Sequence, residues 1–199
     1  MFINTFEQLR VTLITLLLSF AVSGKLKAVA VMSNLTLAQT QTTQNQKDEA
    51  DRLTEKGTQQ YKQGQFQAAL ATFQQALAIE KEIGDRAGVG STFNKIGGIY
   101  DSLGQYPKAL DYYQQALAII QKIGDRHGIG QSLNNIGGIY DSLGQYPKAL
   151  DFYQQALAIR KQIGDHAGEG STLNNIGLIY HRLGQYPKAA ILILKKIKY

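Results

Sequence analysis

The chain has 199 residues, 18% of them charged and 44% hydrophobic, with a formal net charge of +6 and no cysteine. The missing thiols exclude disulfides, thiolate metal sites and a cysteine nucleophile, and the length allows one compact domain or a short array. The positive charge sits at the ends: Arg10, Lys25 and Lys27 outweigh Glu7 at one, and Lys188, Lys195, Lys196 and Lys198 crowd the other. The body between is close to neutral, which argues against a nucleic-acid partner.

From the N-terminus, no charge interrupts residues 11–24, and VTLITLLLSFAV is an apolar run. It is too short to span a bilayer as a helix but suits the central segment of a secretory signal. Small residues follow at cleavage spacing, Ala28-Val29-Ala30 and Thr36-Leu37-Ala38. Residues 1–38 are therefore expected to be a signal peptide and the protein to be exported, periplasmic or extracellular. Lys25 and Lys27 lie on the wrong side of the run for the usual charge bias. An uncleaved membrane anchor and a cytoplasmic leader stay open as alternatives. Residues 39–47 are rich in Gln, Thr and Asn, with little apolar surface to offset ordering, and read as a disordered linker.

Beyond the linker the chain repeats itself. IGGIYDSLGQYPKALD occurs at residues 96–111 and again at 136–151, and residues 104–143 match 144–183 at 28 of 40 positions. A period of this size marks stacked repeats. Within one unit Phe93, Ile96, Tyr100 and Leu103 lie at helical spacing, and Tyr106, Ala109, Leu110, Tyr113, Ala116, Leu117 and Ile120 continue it. Leu103-Gly104-Gln105 breaks the pattern between them, and Pro107, Pro147 and Pro187 stand where a second helix starts. Each unit is predicted to be a helix, a tight turn and an antiparallel helix. Gly97, Gly137 and Gly177 oppose Ala109, Ala149 and Ala189, so the two axes can approach closely. The units span residues 48–87 (degenerate, with Lys56 and Gln60 at apolar positions), 88–127, 128–167 and 168–199. In the last, AILILKKIKY replaces the expected second helix, predicting a truncated, atypical helix that could favour self-association.

Phe93-x2-Ile96-Gly97-x2-Tyr100 with Ala109-x3-Tyr113, and Leu133-x2-Ile136-Gly137-x2-Tyr140 with Ala149-x3-Tyr153, resemble the tetratricopeptide signature. Leu173, Ile176, Gly177 and Tyr180 begin another copy. The forty-residue unit is similar to those of kinesin light chain, Pins-type adaptors and cyanobacterial arrays, some of which continue into a CHAT peptidase domain. The resemblance implies an all-α, right-handed superhelical solenoid of antiparallel helix pairs that binds other proteins.

It also implies that the polar face of the first helices lines a concave groove. Counting from the glycine at 90, 130 or 170, that face holds Asn94, Lys95 and Asp101, then Gln131, Asn134, Asn135 and Asp141, then Asn174, Asn175, His181 and Arg182. An asparagine offers a donor and an acceptor, matching the amides of an extended peptide. The expected partner is a peptide segment of another protein, with no cofactor, no metal, no nucleic acid and no small-molecule substrate. A membrane would be met only through an uncleaved leader. The rivals are a self-associating structural array and a regulatory fragment of a repeat-and-peptidase system. His127, His166 and His181 lie in different units without ligand spacing, and the Asp85-Arg86, Asp125-Arg126 and Asp165-His166 pairs read as helix caps.

Overall fold

The computed structural model describes residues 25–189. Seven helices follow one another there: α1 Lys25–Lys62, α2 Phe66–Ile83, α3 Arg86–Ser102, α4 Tyr106–Ile123, α5 Arg126–Ser142, α6 Tyr146–Ile163 and α7 His166–Arg182. A further helical turn begins at Tyr186. The apolar run at 11–22 and the expected atypical helix at 190–199 lie outside the described residues. Among the described residues no helix is long and apolar enough to cross a membrane.

The chain divides into two compact units, Met1–Gln46 and Lys47–Tyr199. The expectation of a disordered linker at 39–47 is corrected, because these residues are helical within α1. No Gly or Pro falls between residues 25 and 56, and Gln, Ala, Leu and Lys are good helix formers. The threonines, exposed as they are, turn their hydroxyls back on the helix. Thr36 and Thr40 each donate to the carbonyl four residues earlier at 2.8 Å, and Thr42 and Thr43 do the same at 2.9 and 3.1 Å.

In the second unit the forty-residue period is filled by helices of 17 and 18 residues with short links. One link is Gly-Asp. Gly84 ends α2 in the left-handed conformation at φ 74°, and Asp85 caps α3 by accepting from Gly88 N–H at 2.9 Å. Asp125 and Asp165 cap α5 and α7 in the same way. The extra length of the unit, which centres on IGDRAG and its copies, therefore extends helices rather than loops.

Each of the first three pairs closes on a ring pressed against a glycine. A Cβ on Gly97 would lie 2.8 Å from the Tyr113 ring, and one on Gly137 would lie 2.8 Å from Tyr153. Ala109 and Ala149 are fully buried beside them. The degenerate first unit keeps the contact with Gly57 and Phe73. There Thr72 donates to Gln60 at 2.7 Å, in the register where later units stack Tyr100 on Tyr112 and Tyr140 on Phe152. One detail of the predicted stripe is corrected. Leu103, Leu143 and Leu183 are exposed, whereas Ile99, Ile139 and Ile179 are fully buried. The leucines cap the helix ends, and the first helices bury a wider arc because each packs on its own partner and on the preceding unit.

Successive units meet at a slot filled by Glu80, Ile120 and Arg160 in turn, each under a tenth exposed. Glu80 accepts from the Thr92 hydroxyl at 2.8 Å, and its other oxygen is buried without a partner. Arg160 donates to the Gly168 carbonyl at 2.6 Å and to the Thr172 hydroxyl at 2.8 Å. Burial pushes the Glu80 carboxyl above the ordinary range, against the opposing bond from Thr92.

Two outcomes are expected. Gly137→Ala should lower the unfolding free energy by about 1–2 kcal/mol in a urea titration, although Ala is the better helix former, because its Cβ collides with the Tyr153 ring. For Glu80 the folded state favours the neutral acid, so its contribution is full below the unfolded pKa and is lost as pH rises through the raised folded value. Glu80→Gln should therefore melt like wild type near pH 4 and higher than wild type near pH 7. Equal melting at both would remove Glu80 as a source of pH dependence.

Candidate functional site

The polar faces of α1, α3 and α5 border a cleft of about 470 Å³. Tyr61 and Lys62 enter it from α1, Asn94, Lys95 and Gly98 from α3, and Gln131 and Asn135 from α5. Tyr113 lies beneath, and Asp125 and His127 stand at the start of α5.

The asparagines expected to form one ladder divide into two sets. Asn94 is 9% exposed and exchanges hydrogen bonds with Ser132 of the next unit, Nδ2 donating to Oγ at 2.9 Å and Oγ donating to Oδ1 at 3.2 Å. Asn134 is half-buried, and its Oδ1 accepts from Asn175 Nδ2 at 3.2 Å with the Thr172 hydroxyl 3.3 Å away. Asn94 and Asn134 thus tie neighbouring first helices together, so their side chains are already engaged rather than free to meet the amides of a peptide. The helices pack closely enough for a short polar side chain to reach across.

The other set stays available. Lys95 and Asn135 are half-buried in the cleft and Gln131 is exposed at its rim, and no partner among the described residues occupies any of them. Asn174 is exposed and lines a separate hollow with His166, Glu169 and Ser171. A further row runs between units. The Tyr61 hydroxyl pairs with Ser102 at 2.8 Å, and Arg182 donates to Asp141. Asp101 occupies the same row without a partner, and its burial raises the carboxyl's pKa. His181 is exposed and packs edge-on against Tyr186 at 5.3 Å.

The cleft therefore gathers Asn94, Lys95, Gln131 and Asn135, while Asp101, Asn134, Asp141, Asn174, Asn175, His181 and Arg182 lie beyond its lining. Tyr61, Lys62 and Tyr113 belong to it and were not anticipated. Tyr113 reads as core from its spacing, and the one available signal was the second glycine of the Gly97-Gly98 pair. The capping aspartates also link units: Lys47 reaches Asp85 at 2.6 Å, and His127 lies 3.7 Å from Asp165. Among the described residues no group of His, Asp and Glu could hold a metal ion.

Comparison with known proteins settles the family. The tetratricopeptide repeat profile matches residues 53–122, 90–162 and 128–194. The chain belongs to the tetratricopeptide repeat family. Its fold is similar to that of aspartyl phosphate phosphatase F from Bacillus subtilis, at 21% identity and a TM-score of 0.74 over 77% of this chain and 40% of that one. It is also similar to a Rap protein solved in complex with competence and sporulation factor, at 22% identity and a TM-score of 0.71, covering 76% of this chain and 43% of that one. A putative kinesin light chain from Podosopora anserina with nearly identical repeats aligns at 19% identity and a TM-score of 0.64, covering 76% of this chain and 75% of that one. The chain thus spans less than half the length of the first two. No curated protein sequence matches it. For a tetratricopeptide array with this geometry, the two asparagine sets should respond differently to truncation. Asn94→Ala is expected to cost about 1–3 kcal/mol in chemical denaturation, because Ser132 is left buried without its partner, whereas Asn135→Ala should be nearly neutral. Equal costs would dissolve the distinction.

Proposed function

We propose that the repeats hold an extended peptide segment of another protein along the first-helix face, without catalysing a reaction. The observation that carries this reading is the cleft itself, where Lys95 and Asn135 are held half-buried by packing and offer hydrogen bonds that no partner among the described residues takes up. Groups ordered before a ligand arrives lower the entropic cost of binding it. Lys95 supplies donors and Asn135 both a donor and an acceptor, a set that suits main-chain amides and carbonyls. The family consists of protein-interaction scaffolds, and the Rap protein solved with competence and sporulation factor lends support at the level of the fold.

The test is to pan a displayed library of random dodecapeptides on the full chain and titrate the enriched peptides. Each lost hydrogen bond corresponds to about 1 kcal/mol net, so Lys95→Ala combined with Asn135→Ala should weaken binding roughly 20- to 30-fold with the melting temperature unchanged. Unaltered affinity in that double variant would remove the cleft from the function.

A further inference from the structure

Gly97 and Gly98 stand side by side in α3, and packing explains only the first. A Cβ on Gly98 would meet nothing nearer than the Tyr113 hydroxyl at 3.6 Å and the Tyr61 hydroxyl at 4.0 Å, which is ordinary contact. Gly138 in α5 repeats this, with the Tyr153 hydroxyl at 3.7 Å. The backbone there accepts larger residues, since α7 carries Leu178 at the same place, 48% exposed. A glycine inside a helix is destabilising relative to alanine, and neither Gly98 nor Gly138 is required by its neighbours.

What the two glycines leave open is the way to a tyrosine hydroxyl. Tyr113 and Tyr153 are 4% and 2% exposed, yet neither hydroxyl has a hydrogen-bond partner among the described residues. Gly98 and Tyr113 both border the cleft. The four units vary in step. Where the register puts a tyrosine, at 113 and 153, the first helix has Gly98 and Gly138; where it puts Phe73, the first helix has Thr58; where it puts Ile193, which is outside the described residues, it has Leu178. Glycine accompanies the hydroxyl and disappears with it. A phenol is protonated at neutral pH in any case, and burial pushes both higher, Tyr153 up to about 12, so each hydroxyl has a proton to donate.

We propose that the openings over Gly98 and Gly138 are two binding subsites in which the Tyr113 and Tyr153 hydroxyls donate to main-chain carbonyls of an extended peptide. The inference rests on the peptide-binding reading above and assigns its floor contacts. At Tyr113 the nearby Asp101, which has no paired cation, disfavours a carboxylate or phosphate, whereas at Tyr153 the charge of Asp141 is offset by Arg182; an uncharged carbonyl suits both. Adjacent first helices touch, so their axes are about 8–10 Å apart, and an extended chain advances about 3.3 Å per residue. The two carbonyls are therefore about three residues apart in the ligand.

The probes are the dodecapeptides enriched by panning on the full chain. Tyr113→Phe preserves the packing, since Phe73 fills the same position in the first unit, and it should weaken binding about fivefold. Gly98→Ala should weaken binding at least as much while raising the melting temperature by about 2–4 °C, an opposition that a merely structural glycine would not produce. If both variants bind like wild type while Lys95→Ala with Asn135→Ala still loses affinity, the subsites are overturned and the cleft reading stands. If no peptide enriches, or if every variant binds alike, both fall.

Discussion

Everything in the repeat region depends on one contact, an aromatic ring laid flat against a glycine of the facing helix. Because Gly97 and Gly137 have no side chain, the Tyr113 and Tyr153 rings sit where a Cβ would be, and each pair of helices closes to a separation that no larger residue allows. That separation buries Ala109 and Ala149 completely and sets the phase of the whole first helix. With the phase set, one arc of that helix must pack on its partner, a second must meet the neighbouring unit, and a third is left to the cleft. The cleft is what remains after two packing demands have been met.

The demand between units is met by small polar groups as much as by apolar ones. Thr92, Ser132 and Thr172 are fully buried at one position of the first helix, and each needs an acceptor or donor from the unit before. Glu80 supplies it once and Asn94 once, while Arg160 supplies it to the third with Asn134 nearby. Half of the asparagine pattern thus belongs to cohesion. Asn135, which no described residue engages, belongs to the surface on which a ligand is proposed to lie.

The helix pairs, their turns and the family were legible in the sequence, since helical periodicity, Pro at helix starts and Gly-Asp links act locally and leave a trace at fixed spacing. Asn94 was misread because neighbouring residues on one helix face point at different things, and only the distance to the next helix separates them. Leu103 and Ile99 exchanged places in the core for a related reason: a single stripe cannot describe a helix that packs on two sides. The Gln-rich stretch at 39–47 looked unstructured because its shortage of apolar surface was weighed above the helix propensity of a segment without Gly or Pro. Tyr113 was placed correctly in the core, but its hydroxyl became visible only with the gap above Gly98.

The slot holding Glu80, Ile120 and Arg160 bears on how so repetitive a chain avoids confusing its own parts. Units this alike could dock out of order while folding, since each ring finds an equivalent glycine in every neighbour. The slot breaks that equivalence. One junction presents an acid, one a hydrocarbon and one a base. The outer two both offer a threonine hydroxyl, from Thr92 and Thr172, whereas at the middle one Ser132 is already engaged by Asn94. Glu80 or Arg160 brought to the middle junction would find no free hydroxyl, and an ion deprived of its partners in an interior costs several kcal/mol. The slot thus sets the middle junction apart from the outer two, which narrows the orders in which nearly identical modules can assemble.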